Sequence, residues 1–339
     1  MNSRQRVMAA LARQPYDRVP VFPQLGDHAG ALLGYDISEM FNDSEKSVQA
    51  HLEALARYQY DAVTVQIETS WPIVEACGGE VTYPKGKSPW ITKHPLLGPV
   101  EEIPDFPIPD FSKCERVVNL LEGTRKLKAE TDVPVVAFVT GPLTMGFHLF
   151  GYEDGVKIIA KNKEFMPALT SKATEIIIAY ARLIKEAGAD LLVICEHDAQ
   201  MVSPMYIKKF CLPHLPQILQ VFEYNILHAC GKVMKHFEVN AAGLQKLVGL
   251  SAVSVGADVD MAGLRALLGD SISVIGNIDH INLIPNADPA EITRVCGQVV
   301  QENKDVPGFM LAPGCEITVD TPSANIKAFV DAARAEGVR

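Results

Sequence analysis

Short apolar runs rich in β-branched residues alternate with amphipathic segments along the whole chain. Continuously apolar runs such as Val133–Thr140 and Leu191–Glu196 read as strands buried on both faces. The expected strands are Val19–Gln24, Ala62–Ile67, Val133–Thr140, Leu191–Glu196, Asn225–Ala229, Ala252–Val255, Ser273–Asn277 and Phe309–Ala312. Between them, apolar positions recur at helical spacing in Ser44–Tyr58, Lys113–Glu130, Ala173–Ala187, Pro204–Phe222, Gly263–Leu268, Pro289–Asn303 and Ser323–Glu336. Several of these open on Ser or Pro, as helix starts prefer. The first residues, Met1 to Arg13, interleave charge with apolar side chains at the same spacing, so a further helix precedes the first strand.

Buried strands that each lead into a helix imply a parallel sheet covered on its outside, and eight such units close into a (β/α)8 TIM barrel. The expectation is therefore an α/β chain forming a single domain over residues 1–339, with an N-terminal helix and two insertions. The stretch 71–110 is dense in proline, has short alternating runs at Glu80–Tyr83 and Trp90–Lys93, and reads as an inserted hairpin with a meandering loop. The stretch 141–166 reads as a short helical excursion after the third strand. Neither has the Gly/Ser or charged composition of a tether between domains.

Composition narrows the function classes. With 339 residues, 48% hydrophobic and 21% charged, the chain has ample core and is not disordered. Its 31 Lys+Arg against 41 Asp+Glu give a net charge of −10 without a basic cluster, which excludes a nucleic-acid partner. No apolar stretch approaches the roughly 18–20 residues that span a bilayer, and no export leader opens the chain, so a cytoplasmic protein with no membrane role is expected. The 7 cysteines are odd in number and thinly spread, which argues against a disulfide framework. A special cysteine would be a ligand or a nucleophile.

In a barrel, chemistry sits at the carboxyl ends of the strands. Polar residues collect there: Gln24, Asp27 and His28; Gln66 and Glu68; Glu196, His197 and Asp198; His228 and Cys230; Asp258; Asn277 and Asp279; and Cys315. The sharpest local feature is Leu227-His228-Ala229-Cys230-Gly231. Residues two apart on a strand share a face, so the imidazole and the thiol can approach one ion while Gly231 lets the chain turn behind them. Cys315, at the end of the eighth expected strand, could bring a third soft ligand for zinc. On the residues alone, the reading of these cysteines as small buried hydrophobes and of His228 as a hydrogen-bonded structural residue stays open. No G-x-G occurs anywhere in the chain, which discounts a dinucleotide-dependent zinc dehydrogenase.

Several pieces in order resemble the uroporphyrinogen decarboxylase superfamily: Val139-Thr140-Gly141-Pro142, Ala187-Gly188-Ala189-Asp190, Leu227 to Gly231, Ile275-Gly276-Asn277-Ile278-Asp279, Pro313-Gly314-Cys315 and Thr321-Pro322-Ser323-Ala324-Asn325. They are most similar to its branch of methylcobamide:coenzyme M methyltransferases and related corrinoid methyltransferases. That resemblance implies zinc held by His228, Cys230 and Cys315, with Asp258 or Glu316 as a possible fourth ligand or pocket residue. Asp258 is considered because relatives place an acid directly after the sixth strand, whereas this chain reads Ser254-Val255-Gly256-Ala257-Asp258. Gln24, His28, Glu68, Glu196, Asn277 and Asp279 are the candidates to line the substrate pocket.

The implied activity is methyl transfer between a methyl-Co(III) corrinoid and a thiol such as coenzyme M, through a zinc-bound thiolate. The corrinoid would arrive on a separate carrier protein, since the chain lacks a D-x-H-x-x-G run of its own. Transfer from an O- or N-methyl substrate to corrinoid, or from corrinoid to tetrahydrofolate, are the alternatives within the same resemblance. Uroporphyrinogen decarboxylase itself fits less well, because the segment Phe22 to Gly30 holds no arginine for a polycarboxylate substrate.

Overall fold

The computed structural model describes residues 1–96, 98–159 and 161–338. Its centre is a curled parallel sheet of six strands, β3 (Val136–Thr140), β4 (Leu191–Cys195), β5 (Asn225–Ala229), β6 (Leu250–Val255), β7 (Ser273–Ile278) and β8 (Met310–Pro313), paired in sequence order. A separate antiparallel hairpin, β1 (Glu80–Thr82) with β2 (Trp90–Lys93), lies where the alternating runs of the first insertion predict it. The second insertion is helical, as Pro142–Phe150 and Tyr152–Ile159. No helix of the described residues is long and apolar enough to cross a membrane.

The two N-terminal expected strands are a correction. Residues 19–24 and 62–67 form no strand; each makes a single parallel bridge, Val21 to Leu311 and Val63 to Val135. Pro20 and Pro23 have no N–H to give to a ladder, and Pro134 removes the corresponding donor at the start of β3. In the second segment Ile67 N turns to the side-chain oxygen of Gln66 instead of a neighbouring strand. The remaining hydrogen bonds still link both segments to the sheet edges. Leu311 N donates to Pro20 O and Phe22 N to Leu311 O, Asp61 N donates to Val21 O, and Val136 N donates to Val63 O.

A second correction concerns Pro204–Phe222, expected as one helix. It breaks into Pro204–Tyr206, a wide turn at Ile207–Cys211 and Leu215–Leu219, because Pro213 and Pro216 interrupt the hydrogen-bond ladder.

Alternation along the strands separates two buried layers. Val136, Phe138, Leu191, Val193, Cys195, Ile226, Ala252, Ile275, Met310 and Ala312 face the interior of the curl, joined by Val7, Ala10 and Leu11 of the helix Ser3–Leu11. The neighbouring positions, among them Ala137, Leu192, Leu227 and Val253, pack outward against the helices Phe165–Glu186, Met261–Leu268, Pro289–Asn303 and Ser323–Glu336. At the carboxyl end of the interior layer the register aligns Thr140, Cys195, His228 and Ser254 across β3 to β6. Paired residues of parallel strands face the same side, so this row points into the interior above Phe138, Val193, Ile226 and Ala252.

Candidate metal centre

His228 is the fourth residue of β5 and Cys230 follows two positions later, just past the strand end. Gly231 then turns the chain at φ +77, where an added Cβ would fall 2.1 Å from Gln200 Oε1. The positive φ is what favours glycine here, since the exposed Gln200 side chain could move aside. Cys315 arrives from β8 through Gly314, whose backbone packs so closely on Gly256 and Ala257 that an added Cβ would stand 3.0 Å from Gly256 Cα. The ends of β5, β6 and β8 thereby converge. One ligand atom from each of His228, Cys230 and Cys315 lies within 4.8 Å of the other two.

The donor set fits a zinc ion. His228 is 3% exposed; its Nδ1 meets Ser254 Oγ at 3.1 Å, while its Nε2 is buried without a hydrogen-bond partner. A buried ring nitrogen without a partner is costly unless something accepts its lone pair. The approach of the two sulfurs holds the Cys230 thiol below its ordinary value, and together with burial it pushes Cys315 up to about 12. Two thiolates and one imidazole are the ligand types of catalytic zinc sites that keep one position open.

The candidates for a fourth ligand stand elsewhere. Asp258 is exposed in the turn after β6. Glu316 reaches toward the first loop, where its Oε1 accepts from Asp27 N at 2.8 Å. Burial, together with the neighbouring Asp27 charge, pushes the Glu316 carboxyl well up, and burial raises Asp27 to about 6. Both acids line a cleft of about 540 Å³ whose wall includes Gly86 and Lys87 of the hairpin turn.

The pocket candidates divide. Glu68 belongs to a charged cluster: its Oε2 lies 3.2 Å from His197 Nε2, and His197 Nδ1 lies 3.2 Å from Asp198 Oδ1. Burial works against both charges, but the mutual pairing holds Glu68 down at about 2 and His197 up at about 11. The His148 ring stacks obliquely on His197 with centroids 5.4 Å apart, and its Nδ1 bonds Ser70 Oγ at 2.7 Å. Thr140 Oγ1 lies 3.5 Å from Glu68 Oε1, and the strand register puts Thr140 in the same row as Cys195 and His228.

Glu196 is fully buried rather than a solvated carboxylate. It accepts from Leu143 N, Thr144 N and Thr144 Oγ1, and so caps the helix Pro142–Phe150. His28 has both ring nitrogens occupied, by Val319 O and Tyr58 OH. Gln24 bonds Pro313 O, Asn277 bonds Val259 O, and Asp279 accepts from Ile281 N and Asn282 N. These side chains hold the strand-end loops in shape. Sequence reasoning passed over Ser254 and His148 as site residues. For Ser254 a signal existed, a hydroxyl two positions after Ala252 on the inward-facing side of the strand.

The sequence profile of the family described as uroporphyrinogen decarboxylase (URO-D) matches residues 2–336. Methylcobamide:CoM methyltransferase MtbA of Methanosarcina acetivorans is 25% identical over 348 residues, which cover 98% of this chain and 97% of that protein. Methylcobamide:CoM methyltransferase MtaA of Methanosarcina barkeri is 29% identical over 346 residues, covering 96% of each. Among solved structures, a methyltransferase from Methanosarcina mazei superposes with a TM-score of 0.87 at 24% identity over 98% of both chains, which shows the shared fold.

Proposed function

The chain belongs to the uroporphyrinogen decarboxylase family, and we propose that within it the protein is a zinc-dependent corrinoid methyltransferase, moving a methyl group between a methyl-Co(III) corrinoid on a carrier protein and a thiol such as coenzyme M. The observation that carries this reading is the His228, Cys230 and Cys315 group with its unpartnered Nε2. The near full-length similarity to two methylcobamide:CoM methyltransferases supports it. We read the chain as one domain over 1–339 and the curled sheet, with its two bridging segments, as a (β/α)8 barrel.

Zinc, when bound here, would let a thiol lose its proton near neutral pH and remain nucleophilic. The protein's own residues do the rest. Cys230 and Cys315 would hold the metal together with His228 as the neutral donor, and their negative charge would keep an incoming sulfur electron-rich. The acceptor sulfur would form the S–CH3 bond as the Co–CH3 bond of the corrinoid substrate breaks, the bonding pair staying with cobalt. No general base is required beside the reacting carbon. The interior of the sheet is filled by side chains, so a corrinoid would meet the acceptor at the carboxyl ends of the strands.

The acidic cleft argues against decarboxylation of a porphyrinogen bearing eight carboxylates. Asp27, Asp36 and Glu316 line it with Lys87 as the single basic residue among its lining groups, and the loop from Phe22 to Gly30 has no arginine.

Metal analysis combined with methylcobalamin demethylation in the presence of coenzyme M, other thiols or tetrahydrofolate tests the proposal. The wild type is expected to hold stoichiometric zinc and to demethylate with a thiol, while Cys230→Ala and Cys315→Ala lose both. Full zinc content and full activity in both variants would overturn it.

A further inference from the structure

We infer that Ser254 is a positioning residue that fixes the tautomer and orientation of the His228 ring, and through them the metal affinity of the site. The inference rests on the metal reading above. The register of β5 and β6 pairs His228 directly with Ser254, so the two side chains stand next to each other on the interior face. Ser254 is 4% exposed, and its Oγ lies 3.1 Å from His228 Nδ1.

A neutral imidazole carries one N–H, on either nitrogen, and only the nitrogen without it has a lone pair to offer a metal. The hydroxyl of Ser254 could also donate to Nδ1; its acceptance from Nδ1–H is the arrangement inferred, because it leaves the lone pair on Nε2, the ring nitrogen without a hydrogen-bond partner. The competing tautomer would put the N–H on Nε2 and remove the donor. A ring flip would instead point a carbon into the group.

The flipped ring is disfavoured because the pocket is closed around it, with His228 only 3% exposed. Cys195 occupies the other flank of His228 on β4, in register with it, and is 7% exposed. A buried thiol is a weak hydrogen-bond partner and cannot replace the hydroxyl. Ser254 therefore supplies the orienting contact that ligating histidines ordinarily receive on their second nitrogen, whose loss weakens metal binding by about 10–100-fold.

The test uses the full chain stripped of metal, titrated with zinc against a chromophoric chelator, together with nitrogen chemical shifts of the His228 ring in the metal-free protein. Wild type is expected to show the Nδ1–H tautomer. Ser254→Ala is expected to show mixed tautomers and to bind zinc about 10–100-fold more weakly, with little change in the Tm of the metal-free protein. Ser254→Thr, which keeps a hydroxyl, is expected to restore both readouts. Unchanged zinc affinity in Ser254→Ala, or a mixed tautomer already present in wild type, would overturn the inference. Absence of saturable zinc uptake by wild type would instead remove the metal reading on which it stands.

Discussion

His197 is held as an imidazolium between Glu68 and Asp198 although its environment is largely desolvated. Its ordinary value of 6.5 rises to about 11, so the folded protein binds that proton more tightly than the unfolded chain. The stabilisation is full below pH 6.5 and declines as the pH climbs toward 11. Glu68 works in the opposite sense. Its value falls from 4.5 to about 2, and its contribution is lost as the pH drops through that interval. Thermal unfolding of wild type and His197→Gln across pH should therefore give a Tm deficit that is largest between 4.5 and 6.5 and shrinks on both sides. A deficit that does not vary with pH would contradict the ion cluster. At this scale the His228 and Cys230 pair was legible, because a spacing of two on a strand means a shared face. The charge on His197 was legible only in part, since Asp198 is its neighbour in the sequence but Glu68 is brought by the fold from a distant part of the chain.

The helix Pro142–Phe150 has no side-chain cap of its own. Its Leu143 and Thr144 N–H groups are satisfied instead by Glu196 at 3.0 and 3.1 Å, from the end of β4. A carboxylate also favours the positive end of the helix dipole. Glu196→Ala leaves these buried donors without a partner and is expected to cost about 1–3 kcal/mol for each. Urea unfolding at neutral pH measures it, with Glu196→Gln losing less because its carbonyl can still accept. A loss below about 0.5 kcal/mol would mean that the cap is dispensable. Six of the expected strands formed, with ends displaced by no more than three residues, because continuous β-branched runs have few other ways to be buried. The two N-terminal ones failed where Pro20, Pro23 and Pro134 deny the ladder its donors.

Across the whole molecule, the weakly bridged N-terminal segments are tied in by Asp61. Its buried carboxylate accepts from Arg6, Arg18, Ser3 Oγ and Val21 N, joining the N-terminal helix to both segments. Arg18 has a side chain only 14% exposed and pairs with no other carboxylate among the described residues, so Asp61→Ala would strand it, whereas Arg6 keeps its bidentate pair with Asp17. The expected loss is about 3–5 kcal/mol, read as a fall in the denaturation midpoint. A fall of less than about 1 kcal/mol would show that the hydrogen bonds of Pro20, Val21 and Val63 hold the segments without it.

From the sequence alone came the strand-and-helix alternation, the hairpin of the first insertion and the H-x-C pair. These are properties of local spacing, and spacing is written along the chain. Only the tertiary structure decided that Cys315 reaches His228 and Cys230, that Glu316 turns to Asp27, that Glu196 caps a helix and that Ser254 faces His228. Each depends on which strand ends the curl of the sheet brings together, and on how closely Gly231, Gly256 and Gly314 let the backbones approach. No local pattern encodes those distances.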